Sequence, residues 1–201
     1  MASIQKTAGT QILALQSVAS NTVVVSSAVA VTSKLAATVF LHFGRGATTA
    51  LTEGAELRIE AMSSSGGTTG TWFPIASFKT QTAAANSSTS VTTSSASGQA
   101  VVSMSSTTGL AIENLVFILN TTLANSEWQR VAVVTASTSI TLEENLVNTQ
   151  GTSSKVYNSA EFYAAQIDCT AITQLRVVVN ACNTGQTTYV DAYMVTGDTI
   201  S

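Results

Sequence analysis

The chain has 201 residues and a formal charge of -3, and only 9% of it is charged although 45% is hydrophobic; an average globular domain carries roughly 25% charged residues. That much apolar content with so little net charge excludes a disordered polymer. Eight Lys and Arg against 11 acids leave no basic stripe for a phosphate backbone, so no nucleic-acid partner is expected.

Two Cys cannot frame a disulfide-dense scaffold, and one His leaves few parts for catalysis or for a metal site. Residues 23–43 come nearest to a membrane span, but Ser26, Ser27, Thr32, Ser33, Lys34 and His42 interrupt them, so two strands are expected there and no membrane partner. The first twenty residues hold no clean apolar stretch, which argues against an export signal.

In chain order, residues 1–20 have too few periodic apolar positions to fold alone. They are expected to form an arm that dangles or docks, with Ile4, Ile12, Leu13 and Leu15 as its contact candidates. Residues 22–25 and 29–31 are β-rich. Leu35, Ala37, Val39, Leu41 and Phe43 then form one alternating face, the signature of a half-buried strand. Leu57, Ile59 and Ala61 alternate with Glu56, Arg58 and Glu60, which predicts a strand with one wet face. Residues 71–78 form a strand around Pro74, the only proline; the missing amide donor places it at a sheet edge or at a bulge.

Residues 80–99 are mostly Ser, Thr and Ala, the composition of a linker. Short strands follow at 100–104, within 110–119, at 128–135 and at 139–142, and so many in so short a span predict a small barrel. Strands at 161–167, 175–180 and 188–195 close the chain, with turns at 183–185 and 197–198. Three terminal strands cannot make a domain by themselves. The fold class expected is therefore all-β, a jelly-roll-like antiparallel β-sandwich built from 21–96 and 155–201, with a small β-barrel at 97–154 inserted and an N-terminal arm at 1–20.

The chemistry-bearing residues point away from catalysis. His42 alternates out of phase with Leu41 and Phe43, so it belongs on the outer face of its strand, and its closest acid in sequence is Glu53. No G-x-S-x-G elbow accompanies it. Cys169 and Cys182 are too far apart for a C-x-x-C pair and read as buried thiols, with a disulfide between neighbouring strands as the other reading. Glu143 and Glu144 are adjacent and diverge, which does not suit a glycosidase pair. No catalytic residue, cofactor or metal is expected. Trp72, Phe73 and Trp128 are the scarce large aromatics, expected in a core or subunit contact, with a carbohydrate platform as the other reading.

Four stretches carry a family resemblance: TTGLAI at 107–112 followed by LVFI at 115–118, LANSEWQRV at 123–131, and TSITLEENL at 138–146. They resemble a small β-barrel module that recurs in virion proteins of tailed bacteriophages, and MVTGDTI at 194–200 is similar to the end of such proteins. Glu113–Asn114 stands where that pattern carries Gly-Asp. The resemblance implies a head decoration (cement) protein located on the virion and assembled in the bacterial cytoplasm. Its implied partners are the major capsid protein and its own copies, as a homotrimer. A tail, fibre or baseplate component, or an adhesin binding a host glycan, is the alternative; a sandwich hydrolase stands third.

Overall fold

The computed structural model describes residues 8–46, 53–63, 71–82, 87–181 and 187–198. Among them lie fifteen strands, one short 3-10 turn, η1 (Leu123–Asn125), and no α-helix. The Val, Thr and Ile content explains this, because β-branched side chains fit a pleated surface better than a helix.

Nine strands form two facing sheets. The first, sheet A, has the order β1 (Thr10–Val18), β15 (Thr188–Asp198), β4 (Lys34–Arg45), β13 (Glu161–Asp168). The second, sheet B, runs β2 (Val23–Val25), β14 (Ile172–Asn180), β5 (Glu56–Ser63), β6 (Phe73–Lys79), with β3 (Val29–Ala30) also on β14. Counted as one interrupted strand, β2 and β3 make eight. In chain order the sheets then read first-eighth-third-sixth and second-seventh-fourth-fifth, the two interlocked Greek keys of a jelly roll. One core fills the space between them, with Leu13, Val39, Leu41, Phe43, Leu57, Ile59, Val177, Val190 and Met194 among its buried members.

The remaining strands form a six-stranded sheet inserted between β6 and β13. Its order is β7 (Ser88–Ser90), β12 (Lys155–Tyr157), β9 (Leu115–Leu119), β10 (Glu127–Thr135), β11 (Ser139–Leu142), β8 (Val101–Ser103). It curls until its two edges meet at the Val91–Met104 bridge, where Thr92 N donates to Ser103 O at 2.9 Å and Ser105 N to Ser90 O at 3.0 Å. Val102, Val116, Ile118, Val131, Ile140 and Val156 fill its own core. The Glu127 carboxylate is buried and accepts from the amides of Val147 at 2.9 Å and Asn148 at 2.6 Å and from Gln150 Nε2 at 3.1 Å. Those bonds pin the 143–150 loop, since a buried carboxylate is stable only when its lone pairs are met.

Several expectations are met by specific geometry. The Pro74 strand is an edge strand with its register shifted between Ile59 and Glu60, opposite Pro74. Others need correction. Residues 10–18 are not an arm but edge strand β1, paired in cis to β15, because Ile12 and Leu13 bury against the sandwich core, at 8% and 5% exposure. The stretch read as a linker holds β7 and buried Val91, whose Thr/Ser-rich neighbours supply ladder amides. Residues 197–198 continue β15 rather than turning. Glu60, expected in water, is buried under Arg176, whose Nη2 approaches its Oε2 at 2.7 Å. Ile4, Cys182 and the 183–185 turn lie outside the described residues.

Candidate interaction surface

The outward positions of sheet A follow from its register, because residues directly opposite in a ladder share a face. Tyr189 pairs with Gly44, Asp191 with His42, Tyr193 with Phe40, Val195 with Thr38 and Gly197 with Ala36. On the next strand Phe162 stands opposite His42, Ala164 opposite Phe40 and Gln166 opposite Thr38. Between Asp191 at one end and Asp168 at the other, this face carries no charged side chain among the described residues.

The inserted barrel covers one end of the face. Trp128 of β10 donates its Nε1–H to Asp191 Oδ2 at 2.9 Å, and the other carboxylate oxygen accepts a hydrogen bond from His42 Nδ1–H at 2.8 Å. Asp191 is therefore fully engaged where its side chain is 4% exposed, which is how a buried carboxylate avoids an unmet charge. The imidazole stacks on the indole with centroids 5.4 Å apart, and Trp128 in turn lies 4.3 Å from Phe117. Gly44 makes the approach feasible: a Cβ there would sit 2.9 Å from Trp128 Cζ3 and 3.4 Å from Phe117 Cβ.

Beyond the barrel the ring contacts continue onto open surface. His42 meets Phe162 at 5.2 Å and Phe162 meets Phe40 at 6.0 Å. Phe162 is 47% exposed. A hollow of about 480 Å³ adjoins Phe40 and is lined also by Thr38, Gln166 and Val195. Burial raises the Tyr189 phenol above its usual range; burial and the nearby Asp191 raise that of Tyr193, partly offset by the Gln11 bond. The face has the makeup of an interface centre, aromatic and poor in charge.

The predicted contact residues do not gather on one surface. Ile12 and Leu13 serve the protein's own core, so they are not free for another chain, and Leu15 is half-buried. Trp128 is spent on the internal junction. Trp72 lies on the outer side of sheet B, with the Arg176 guanidinium 4.2 Å over its ring; Phe73 beside it is 54% exposed. Trp72 and Trp128 therefore occupy opposite sides of the sandwich, and the three aromatics make no single carbohydrate platform. His42 does face outward, but its acid is Asp191, 149 residues away, not Glu53. Cys169 is a buried free thiol, raised above its usual range by desolvation. Glu143 Oε2 lies 3.7 Å from Arg130 Nε at the surface. Among the described residues no group of His, Cys, Asp and Glu is placed to hold a metal ion, and no helix is long and apolar enough to cross a membrane.

Asp191, Phe40, Tyr193 and Phe162 escaped sequence reasoning. The available signal was the off-phase row Ala36, Thr38, Phe40, His42, Gly44: a strand whose outer row also lacks charge is suited to contact on both faces.

No protein-family model and no curated protein matches the chain. Among solved structures it is similar to VP17, a capsid protein of bacteriophage P23-77, at 9% identity and a TM-score of 0.19, over 98% of this chain and 100% of that one. It is also similar to the structure of infectious bursal disease virus Gx strain, at 8% identity and a TM-score of 0.25, over 98% of this chain and 82% of that one. Both are weak resemblances to viral capsid proteins, too loose to carry an argument.

Proposed function

We propose that this chain is a non-catalytic virion structural protein that decorates a phage capsid, binding the major capsid protein across capsomer boundaries as a homotrimer. The observation that carries the reading is the open part of sheet A's outer face, where Phe162, Phe40 and Tyr193 lie in a field without charge. Large exposed apolar patches mark contact sites, and jelly rolls recur in capsid proteins, though a fold alone assigns no role. The phage-virion resemblance of residues 107–146 points the same way.

The dimensions favour several copies acting together. From His42 to Ala36, across four strands, the face spans roughly 24 by 19 Å at ordinary strand spacings, about 450 Å². A standard interface takes about 800 Å² from each partner. One copy alone is thus a weak binder, whereas a trimer on a symmetry axis makes each further contact intramolecular and gains avidity.

The test mixes purified protein with undecorated heads and follows co-sedimentation. Wild type is expected to bind and Phe162→Asp to lose binding while keeping its melting temperature. Equal binding by both would remove the assigned surface; failure of wild type to bind heads would remove the role.

A further inference from the structure

A cleft of about 500 Å³ runs between the barrel and the sandwich, inside the range of roughly 300–1,000 Å³ typical of small-molecule sites. Its barrel wall is the outward row of β12 and β9, where Lys155 stands opposite Leu119 and Tyr157 opposite Phe117. The sandwich wall is Ser17, at the end of β1, with Thr187 and Tyr189. The contact of Phe117 with Tyr189, 4.9 Å between rings, ties the two walls together.

The polar groups here divide sharply. Asn120 is consumed in shaping the loop: its Nδ2 donates to Thr149 O and Gln150 Oε1, and its Oδ1 accepts from Thr122 N. In contrast, the hydroxyls of Ser17, Ser153 and Thr187 and the ammonium of Lys155 hold no side-chain hydrogen bond or ion pair among the described residues. Among the described residues no carboxylate lines the cleft. These four groups are exposed to solvent and so are free to meet a ligand: the ammonium can pair an anion, and hydroxyls that both donate and accept match a polyol. Tyr189 adds an amphipathic ring beside them.

We propose that this cleft binds a carboxylate-bearing sugar, with Lys155 pairing the carboxylate and the hydroxyls of Ser17, Ser153 and Thr187 meeting those of the ring. The site lies at the barrel-covered end of sheet A, with Tyr189 on its wall and none of Phe40, Tyr193 and Phe162 in its lining, and it stands or falls independently of the capsid role.

The experiment is an NMR titration of the full chain with glucuronate, glucose and acetate. Glucuronate is expected to shift the amides of 17, 153–157 and 187–189 with a dissociation constant on the order of 1 mM. Glucose, lacking the charge, and acetate, lacking the hydroxyls, are each expected to bind at least about tenfold more weakly, a difference of about 1.4 kcal/mol. Lys155→Gln should lose the glucuronate response, whereas Lys79→Gln, at an exposed lysine outside the cleft, should keep it. Acetate matching glucuronate, unchanged binding by Lys155→Gln, or no response to glucuronate would each overturn the proposal.

Discussion

Gly44→Ala is the most informative perturbation of the barrel–sandwich junction. Within a strand, alanine normally gains about 0.5–1 kcal/mol over glycine by restricting the unfolded chain. At Gly44 the new methyl would lie 2.9 Å from Trp128 Cζ3 and 3.1 Å from Cη2, and overpacking of this kind costs about 1–3 kcal/mol. The clash wins, so the variant should be destabilised by about 1–2 kcal/mol, lowering Tm by about 2–4 °C per kcal/mol for a chain of this size. Trp128→Ala removes the ring and its bond to Asp191, and should cost about 3–5 kcal/mol. With the ring gone the Gly44 methyl keeps only an ordinary 3.4 Å contact with Phe117 Cβ, and Gly44→Ala should now stabilise the protein. Urea unfolding of the two single variants and the double variant measures the coupling, expected at about 1–3 kcal/mol. If Gly44→Ala has the same effect with and without the indole, to within about 0.5 kcal/mol, the junction is not packed as described.

Other expectations test separate parts of the molecule. Glu127→Gln places an amide donor against the amides of Val147 and Asn148 and should cost about 2–3 kcal/mol in urea unfolding, the scale of a charge-assisted bond plus an unmet donor; a loss below about 0.5 kcal/mol would show that the loop does not depend on it. The phenols of Tyr157, Tyr189 and Tyr193 are held above their ordinary value of 10.0, burial being the largest cause. Their stabilisation is whole below that pH and is lost as pH rises past it, since the unfolded chain releases these protons first. Urea midpoints should therefore fall between about pH 9 and 11, and Tyr189→Phe should flatten the fall; an unchanged slope in the variant would refute its share. Cys169 is buried, with its thiol raised, so a Cys182→Ser variant should stay unreactive to a thiol reagent until urea unfolds it. Prompt labelling of the native variant would contradict that burial.

The strand content was legible in the sequence because period-two alternation and β-branched residues are local signals, and Pro74 announced an edge by its missing donor. What stayed hidden depends on partners far along the chain. Thr10–Val18 looks too weak to fold because its apolar positions are few; a ready-made edge on β15 supplies the ladder. Thr89 and Val91 sit in a run of Ser and Thr that resembles a linker, yet sheet closure only requires backbone amides there. His42 appeared without an acid because its partner lies on the last strand, and Trp128 appeared as a contact for another chain because the junction it fills exists only once the barrel docks. The uncharged outer face of sheet A was partly visible in Phe40, out of phase with its neighbours. Its neighbours Tyr193 and Phe162 come from strands that only the jelly-roll order brings beside it.

The most direct test of the central claim is electron cryomicroscopy of virions that carry this chain, at a resolution that distinguishes the two sheets of the sandwich. Trimers are expected on the capsid surface, with Phe162 and Phe40 of sheet A buried against the major capsid protein. Trimers whose sheet A faces solvent, or density for the chain on the tail alone, would contradict it.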